Sequence, residues 1–178
     1  MSSLRIAIAG VGMAVPERRV TNLDLARTVD TSDEWITERT GIKERRVAGA
    51  GETTASLAIE AGQAAIKDAG IDSADIGLCI VATCTSEQPI PPTSSFVQEG
   101  LGLRCGAFDV DAACSGFVYA MVVGASMVVT GACGPVLVIG AETLTRVVDP
   151  LDRSTVILFV DDAEATVLPP HENPSPST

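Results

Sequence analysis

Short apolar runs alternate along this chain with amphipathic stretches and with turns rich in glycine and proline. Five apolar runs rich in β-branched residues predict buried strands, at 4–9, 76–83, 107–110, 135–140 and 155–159. Helical periodicity and capping residues predict helices over 33–39, 53–68 and 94–101, and a long apolar helix that starts near 114. Strands that alternate with helices predict an α/β domain with a largely parallel sheet.

The segment 112–141 contains no charged residue, which raises the question of a membrane span. Gly131, Gly134 and Pro135 interrupt this segment, and the residues that follow are β-branched. We therefore favour a buried helix followed by a buried strand over a membrane-spanning helix. An apolar helix of this kind must be covered on nearly every side in a globular protein.

The composition indicates one domain with a hydrophobic core. The chain has 178 residues, of which 46% are hydrophobic and 3% aromatic. We place the domain at residues 1–168 and expect the Pro/Ser-rich, polar tail at 169–178 to be disordered. The net charge of −11 argues against general binding to nucleic acid. The first residues lack the charged region and apolar core of a signal peptide.

Cysteine usage argues against metal and disulfide sites. Five cysteines are present, which is an odd number, no pair has the CxxC spacing, and the chain has a single histidine. A zinc site and a disulfide framework are therefore both poorly supported. Free thiols fit a reducing compartment, so we expect a cytoplasmic protein with no partner in the membrane.

The segment 109–117 is the strongest candidate for a chemical site. A strand ends there, a tight turn of small residues follows, and a helix begins near Cys114. The first N–H groups of a helix lack internal partners, and the helix dipole favours an anion beside them. A thiolate at this point is a nucleophile, and the same N–H groups stabilise an oxyanion. The alternative is that Cys114 is an inert buried cysteine, as the other four cysteines are expected to be.

A second motif, Gly10-Val-Gly12, suggests a dinucleotide-binding turn. Val15 stands where the third glycine of that motif belongs, so we do not expect a dinucleotide site.

Several segments together resemble the ketoacyl-[acyl carrier protein] synthase III family of the thiolase superfamily. They occur in the order of that family and cover residues 6–168: Asp30-Thr-Ser-Asp-Glu-Trp-Ile-Thr-Glu-Arg-Thr-Gly-Ile42, Glu52-Thr-Thr54, Val81-Ala-Thr83, Asp111-Ala-Ala-Cys-Ser-Gly-Phe117 and Asp149-Pro-Leu-Asp-Arg153. The resemblance implies the amino-terminal half of a thiolase-like fold. Such a half has a mixed, mostly parallel sheet, helices on both faces and a buried helix that carries the nucleophile.

The resemblance also implies an activity. An enzyme of this family transfers an acyl group from acyl-coenzyme A to the cysteine that matches Cys114. It then condenses that group with malonyl-[acyl carrier protein] in fatty acid or polyketide biosynthesis. The implied partners are thus acyl-coenzyme A as substrate and the acyl carrier protein, with no permanently bound cofactor and no metal.

Binding residues follow from the same resemblance. Thr31, Trp35, Arg39 and Arg153 match the residues that surround coenzyme A, which fits the stacking of indole on a purine and the pairing of guanidinium with phosphate. Ordinary packing is the alternative for Trp35. In the family, the loop that matches Ile90 gates the acyl pocket across a dimer.

Arg39, Lys43, Arg45 and Arg46 form a basic cluster in an otherwise acidic chain. The cluster is a candidate site for coenzyme phosphates or for an acidic carrier protein. The alternative is a solvated basic face.

The chain departs from the family in two ways. The histidine and asparagine that assist condensation come from the second half of a longer family chain, and no residue here matches them; His171 fits no family motif. Val160, Asp162 and Glu164 also replace three glycines of a family loop. Branched or charged residues cannot adopt every glycine conformation, and burying unpaired carboxylates is costly, so we expect this loop to change.

With only one half of the fold present, the apolar helix would be uncovered on one side. A helix of about 17 residues is about 25 Å long, so the exposed apolar patch would be large. We therefore expect a homodimer or a partner chain that supplies the missing half. A competing hypothesis is a non-catalytic fragment or interaction module that pairs with another synthase chain.

Overall fold

The computed structural model describes residues 5–171. Within this range, nine strands form three sheets: β1 (Arg5–Ile6), β2 (Gly10–Ala14), β3 (Arg19–Thr21), β4 (Glu44–Arg46), β5 (Leu78–Ala82), β6 (Gly106–Val110), β7 (Val136–Thr143), β8 (Asp161–Leu168) and β9 (Pro170–His171). The same range contains six α-helices: α1 (Asn22–Leu25), α2 (Asp33–Thr40), α3 (Thr54–Ala69), α4 (Thr93–Gly100), α5 (Gly116–Val129) and α6 (Arg153–Val156).

The central sheet has five strands in the order β2-β8-β7-β5-β6. Strand β5 pairs in parallel with β6 and with β7, whereas β8 pairs in antiparallel fashion with both β7 and β2. Strands β2, β5, β6 and β7 therefore point in one direction, and β8 points in the other. The predicted mixed, mostly parallel sheet is confirmed.

Helices cover both faces of this sheet, because side chains alternate along each strand. On one face, α3 buries Leu57 and its alanines against Leu137 and Ile139 of β7. On the other face, α5 packs Ala120 and Val128 against Val138. The two hydrophobic clusters thus lie on opposite sides of a single sheet, as expected for an α/β domain.

Helix α5 is covered on the sheet side alone. Its buried residues follow the i, i+4 spacing of one face: Gly116, Ala120, Gly124 and Val128. The opposite face is apolar but exposed, and Val118, Tyr119 and Val122 retain 56–60% of their accessible surface. The expected exposure of a large apolar patch is therefore confirmed. No helix within residues 5–171 is both long enough and apolar enough to cross a bilayer.

Local capping residues bound helix α3 at both ends. Thr53 accepts a hydrogen bond from the backbone N–H of Ser56, and the Ser56 side chain completes a capping box. Gly70 ends the helix in the left-handed conformation, at φ = 67°.

The prediction of one strand over residues 4–9 was wrong. The chain forms β1 and then a separate strand β2, which begins at Gly10 instead of ending there. Gly10 and Gly12 face helix α3, and a Cβ atom on Gly12 would lie 2.1 Å from the carbonyl oxygen of Ala61. These glycines allow β2 and α3 to pack backbone to backbone. Neither a dinucleotide-binding motif nor the end of a strand accounts for this close packing.

The predicted strand at 155–159 was also wrong. Asp152 accepts a hydrogen bond of 2.9 Å from the backbone N–H of Ser154, and this cap starts the short helix α6. The strand lies later, at β8, where the alternate residues Asp161, Ala163 and Ala165 are buried. The carboxylates of β8 had hidden this alternation in the sequence.

Regular structure continues past residue 168. Pro170 and His171, which lie in the predicted disordered tail, form β9 and pair with β1. The rest of the predicted tail, residues 172–178, lies outside the described residues.

The contact between β2 and α3 predicts that Gly12→Ala destabilises the fold. The added methyl group would collide with helix backbone, so we expect a loss of about 1–3 kcal/mol and a melting temperature lower by roughly 2–10 °C. Gly51→Ala is the matched control, since no atom lies within 4 Å of the added Cβ and Gly51 is exposed. Equal melting temperatures for the two variants, measured by circular dichroism, would contradict the packing role of Gly12.

Candidate functional site

One edge of the central sheet collects most of the chemically active side chains. The parallel strands β5, β6 and β7 all end at this edge, and the antiparallel strand β8 begins there. Cys84 follows β5, Cys114 follows β6, and Glu142 and Asp162 stand opposite each other on β7 and β8. The carboxyl edge of parallel strands is the usual location of ligand sites in open α/β sheets.

A tight turn carries Cys114 from the sheet to helix α5. Residues Ala113–Ser115 form one turn of 3-10 helix, and α5 begins at Gly116. Ala113 adopts a left-handed φ of 46°, which is unfavourable for a residue with a Cβ atom. The turn leaves the Cys114 side chain exposed at the amino end of the helix. Cys114 therefore lies at the start of a helix, as the sequence predicted. Its exposure argues against the alternative of an inert buried cysteine.

The amino end of α5 has no side-chain cap among the described residues. Other helices differ in this respect: Ser32 caps α2, Thr53 caps α3, and Asp109 accepts hydrogen bonds from the N–H groups of Thr93 and Ser94 at α4. No side chain therefore occupies the amino end of α5 next to Cys114, although the Gly116 N–H donates to the carbonyl oxygen of Ala113 within the preceding turn.

Cys114 opens into a cavity of about 480 Å³. The cavity is lined by Ala82, Cys84, Ala113, Cys114, Phe117, Gly140, Ala141, Glu142, Leu144, Phe159, Asp162 and Glu164. Apolar and small residues form most of the wall, and the charged groups are carboxylates. This volume and lining suit a small ligand.

Glu142 is held firmly in this cavity, although the sequence interpretation overlooked it. Its carboxylate accepts hydrogen bonds from the backbone N–H of Cys84 at 2.9 Å and from the hydroxyl of Thr85. The Cys84 thiol also donates to this carboxylate, at 3.2 Å. Burial, with the contribution of Glu142, raises the pKa of Cys84 to about 11. The position of Glu142 at the end of a buried strand was the available signal.

Asp162 and Glu164, which the resemblance aligns with two glycines, lie on the face of β8 that looks toward α5. Burial raises the pKa of Asp162, and the nearby Asp161 and Glu142 add to the effect. Burial also raises the pKa of Glu164, with a further contribution from Asp162. The segment forms a regular strand, so the cost of these replacements is electrostatic and the strand geometry is kept.

Asp161 differs from its neighbours because it is fully buried and well bonded. It accepts hydrogen bonds from the N–H of Ala48 at 2.7 Å and from the N–H and hydroxyl of Thr145 at 2.9 and 2.5 Å. This carboxylate ties β8 to two loops and is a structural group.

Trp35 and two arginines form a separate cluster. The guanidinium carbon of Arg39 lies 4.3 Å from the centre of the indole ring, and that of Arg153 lies 4.9 Å from it. Arg153 also donates to the carbonyl oxygen of Asp30 at 3.0 Å. The hydroxyl of the adjacent Thr31 is buried and has no hydrogen-bond partner among the described residues.

The predicted basic cluster does not hold together. Arg45 is buried, and it donates to the carbonyl oxygen of Ile157 at 2.6 and 3.0 Å and to the Asn22 side chain at 2.5 Å. Arg46 donates to the carbonyl oxygen of Pro16 at 2.7 Å. Arg39 and Lys43 remain exposed. Arg45 is therefore a structural residue that is inaccessible to phosphate.

A second cavity of about 560 Å³ lies next to the Cys114 cavity, and Phe159 lines both of them. Val156 also lines this second cavity and packs in one hydrophobic cluster with Trp35. Trp35, Arg39 and Arg153 themselves line neither of these two cavities. Ile90 lines neither cavity, and 85% of its surface is exposed.

Comparison with known proteins identifies the family of this chain. The family model for 3-oxoacyl-[acyl-carrier-protein (ACP)] synthase III matches residues 108–177. Beta-ketoacyl-[acyl-carrier-protein] synthase III from Rhizorhabdus wittichii is 54% identical over 169 residues, which are 94% of this chain and 53% of that protein. The chain belongs to the ketoacyl synthase III family. It spans about half the length of the curated relatives that it matches.

Solved structures of ketoacyl synthase III proteins agree with the fold. The enzyme from Aquifex aeolicus matches with a TM-score of 0.91 at 44% identity, over 96% of this chain and 55% of that one. The priming beta-ketosynthase of the R1128 polyketide pathway matches with a TM-score of 0.92 at 38% identity, over 98% and 53% of the two chains. The thiolase-like half predicted from the sequence is confirmed.

The described residues of this chain offer no candidate metal site. Within residues 5–171, no set of three or more histidine, cysteine, aspartate or glutamate side chains is arranged to hold an ion.

The raised pKa of Asp162 predicts a pH-dependent effect of Asp162→Asn on stability. A folded carboxyl whose pKa is raised stabilises the fold below its unfolded value, near pH 4, and that stability is lost as the pH rises through the folded pKa. We therefore expect the variant to melt roughly 1–4 °C above the parent at pH 8, a small effect because the side chain is only partly buried. The difference should vanish near pH 3.

Thermal melts across this pH range provide the measurement. Glu60→Gln on the exposed face of α3 makes the same charge change on the opposite side of the sheet, and we expect no gain from it. A gain for Asp162→Asn that is the same at pH 3 and pH 8 would rule out the electrostatic explanation.

Proposed function

We propose that this chain provides the acyl-accepting half of a beta-ketoacyl-[acyl carrier protein] synthase III. In this role Cys114 takes an acyl group from acyl-coenzyme A, and the acyl group is then condensed with malonyl-[acyl carrier protein] in fatty acid or polyketide biosynthesis. The observation that carries the proposal is the exposed thiol of Cys114 at the uncapped start of α5, inside a cavity of about 480 Å³.

The transfer step balances with the groups present in the cavity. The Cys114 thiolate attacks the thioester carbonyl carbon, a new carbon–sulfur bond forms, and the carbonyl oxygen takes up negative charge. The N–H groups at the start of α5 stabilise this oxyanion. The tetrahedral intermediate then breaks the bond to the coenzyme sulfur. Coenzyme A leaves as a thiolate, which takes a proton from water, and Cys114 keeps the acyl group as a thioester.

The coenzyme portion of the substrate is assigned to the cluster around Trp35. The adenine would stack on the indole, where the Arg39 and Arg153 guanidinium groups now lie at 4.3 and 4.9 Å, and these cations would meet the phosphates. Thr31 supports the assignment, because its buried hydroxyl has no partner within the described residues. Val156, which packs in one hydrophobic cluster with Trp35, and Phe159, which lines the Cys114 cavity, are close in the chain and both line the second cavity. Acyl-coenzyme A is thus a substrate, and the proposal requires no permanently bound cofactor.

Condensation needs more than this chain contributes. The chain spans about half the length of its curated relatives, and α5 exposes Val118, Tyr119 and Val122 on the side that faces away from the sheet. We propose that a second half, a partner chain or a homodimer covers this face and completes the site. Ile90, exposed on the loop before α4, would then act as the acyl-pocket gate of a neighbouring subunit.

A second candidate function is an interaction module that pairs with another synthase chain without turnover. The observation that favours this candidate is that Asp162 and Glu164 place carboxylates in the lining of the cavity that holds Cys114, and that this lining contains no cation. The acyl-transfer test below separates the two candidates, since a module of this kind would not accept an acyl group. In either case the five free thiols fit a reducing, cytoplasmic compartment.

The acyl-transfer proposal predicts a covalent adduct. Incubation of the full chain with acetyl-coenzyme A should add one acetyl group, and peptide mapping by mass spectrometry should locate it on Cys114. Cys114→Ala should lose at least about 90% of the adduct, because no other exposed thiol stands at the start of a long helix.

Cys84→Ala is the matched control for this experiment. Cys84 is exposed in the same cavity, but its pKa of about 11 keeps it protonated near neutral pH, so its removal should leave the adduct in place. The acyl-transfer proposal would fail if the parent chain gave no adduct, or if Cys114→Ala gave as much adduct as the parent.

The coenzyme site predicts a defect in binding. In Trp35→Ala and in Arg153→Ala, the acetyl-coenzyme A concentration that gives half of the maximal acylation rate should rise about fivefold or more, because stacking on a base contributes roughly 1–3 kcal/mol. The maximal rate should change little, because neither side chain lines the Cys114 cavity.

Arg104→Ala provides the control for loss of positive charge, since Arg104 is an exposed arginine on the loop between α4 and β6. We expect this variant to match the parent in single-turnover acylation. A half-saturating concentration that is equal in all four proteins would remove the assignment of Trp35 and Arg153.

A further inference from the structure

Two hydrogen bonds from a buried arginine hold the end of helix α6. Arg45 lies on β4 with 3% of its surface exposed, and its Nε and Nη2 atoms donate to the carbonyl oxygen of Ile157 at 3.0 and 2.6 Å. Ile157 directly follows α6 in the chain. Because two N–H groups of a planar guanidinium converge on one oxygen, this contact restrains the direction of approach as well as the distance.

The same guanidinium reaches helix α2 through Asn22, which is also buried. Nη1 of Arg45 donates to the side-chain oxygen of Asn22 at 2.5 Å. The side-chain nitrogen of Asn22 donates to the carboxylate of Asp33 at 2.7 Å and to the carbonyl oxygen of Ile42 at 2.8 Å. Asp33 is the first residue of α2, and Ile42 follows the glycine that ends it. A continuous chain of hydrogen bonds therefore joins the end of α6 to both ends of α2.

These two helices carry the side chains of the cluster around the indole. Helix α2 contributes Trp35 and Arg39, and α6 contributes Arg153. The two guanidinium carbons lie 4.3 and 4.9 Å from the centre of the ring. Helix α6 has only four residues, and a single helical turn has little stability of its own. The placement of Arg153 over the indole therefore depends on contacts that hold α6 from outside.

Apolar packing also brings the two helices together, but it does not select their orientation. Ile36 and Ile157 are buried in one hydrophobic cluster, against which Trp35 and Val156 pack. Burial of apolar surface is non-directional, so many angles between α2 and α6 would satisfy it. Hydrogen bonds weaken steeply away from their preferred geometry, and those of Arg45 are shielded from water. The hydrogen-bonded link is therefore the contact that can select one orientation.

We propose that Arg45 and Asn22 are positioning residues, which hold Trp35 and the two arginines beside it in the geometry that binds coenzyme A. The proposal deepens the proposed function, on which it rests for the identity of the ligand. All three guanidinium nitrogens of Arg45 donate within the fold. Arg45 therefore acts on the coenzyme only through the helices that it joins.

Trp35 is the only tryptophan of the chain, so its fluorescence reports on the cluster directly. Arg45→Met keeps an apolar side chain and removes the donors. We expect acrylamide to quench Trp35 about two- to fivefold faster in this variant, the change that corresponds to the loss of one exposed cation–π contact. Gly12→Ala is the matched control, because it disturbs the distant contact between β2 and α3 and should leave the quenching unchanged.

Titration of the full chain with coenzyme A, followed by the fluorescence of Trp35, measures binding without acyl transfer. The Kd should rise about two- to fivefold in Arg45→Met and should not rise in Gly12→Ala. The maximal rate of acylation by acetyl-coenzyme A should stay close to that of the parent, because Arg45 does not line the Cys114 cavity. A merely structural role predicts a lower melting temperature with unchanged quenching and Kd. That result in folded Arg45→Met, checked by circular dichroism, would overturn the proposal.

An exchange of donor and acceptor at Asn22 tests the same link, and it decides the question if Arg45→Met does not fold. Asn22→Asp leaves an acceptor for Arg45 but sets a second carboxylate against Asp33, so it should weaken the binding of coenzyme A. Adding Asp33→Asn returns a donor to this contact, and the double variant should recover most of the affinity. An unchanged Kd in Asn22→Asp, or no recovery in the double variant, would contradict the positioning role.

The positioning role and the proposed function fail in different ways. If the Kd for coenzyme A depends on Arg45 and Asn22 as expected but acetyl-coenzyme A leaves no adduct on Cys114, acyl transfer fails and the positioning role stands. If Cys114 is acylated but the Kd does not depend on these two residues, the positioning role fails and acyl transfer stands. A parent chain that does not bind coenzyme A would also remove the positioning role.

Discussion

The antiparallel pairing of β7 with β8 extends over eight residue pairs and decides which side chains reach the nucleophile cavity. Because side chains alternate along a strand, this register turns Asp161, Ala163 and Ala165 toward α3, and turns Asp162 and Glu164 toward α5. A shift by one residue would exchange the two sets and bury the unpaired carboxylates in the core. The hydrogen bonds of Asp161 to Ala48 and Thr145 oppose such a shift, and the cavity around Cys114 depends on them.

Two electrostatic effects compete at Cys114. The amino end of α5 favours an anion, and an effect of this kind contributes roughly 0.3–2 kcal/mol. Asp162 and Glu164 line the same cavity as Cys114 and act in the opposite direction, because carboxylates repel an anion.

The sequence predicted those parts of the fold that depend on local signals. Thr53 and Gly70 bound α3 because capping is a property of a few adjacent residues, and the motif around Cys114 placed the thiol at a strand-to-helix turn. The errors arose where distant contacts decide the outcome. In the sequence, Gly10 and Gly12 resemble a turn, but in the structure they are the positions where β2 packs on α3. Arg45 resembles a phosphate ligand, but its guanidinium donates to the carbonyl oxygen of Ile157. Glu142 lies in the site because of the order of the strands in the sheet, and a local sequence pattern does not reveal that order.

Any surface that covers the exposed face of α5 must also accommodate the charge of Glu164. A groove of about 490 Å³ beside this helix is lined by apolar residues such as Val11, Met13 and Phe117, and also by Glu164. Any surface that covers the apolar part of this groove also removes Glu164 from water. Burying an ionised carboxylate without a partner costs several kcal/mol, so apolar contact alone would be a poor match. A covering surface that suits this chain must therefore present a hydrogen-bond donor or a cation to Glu164, a requirement that a glycine at this position would not impose.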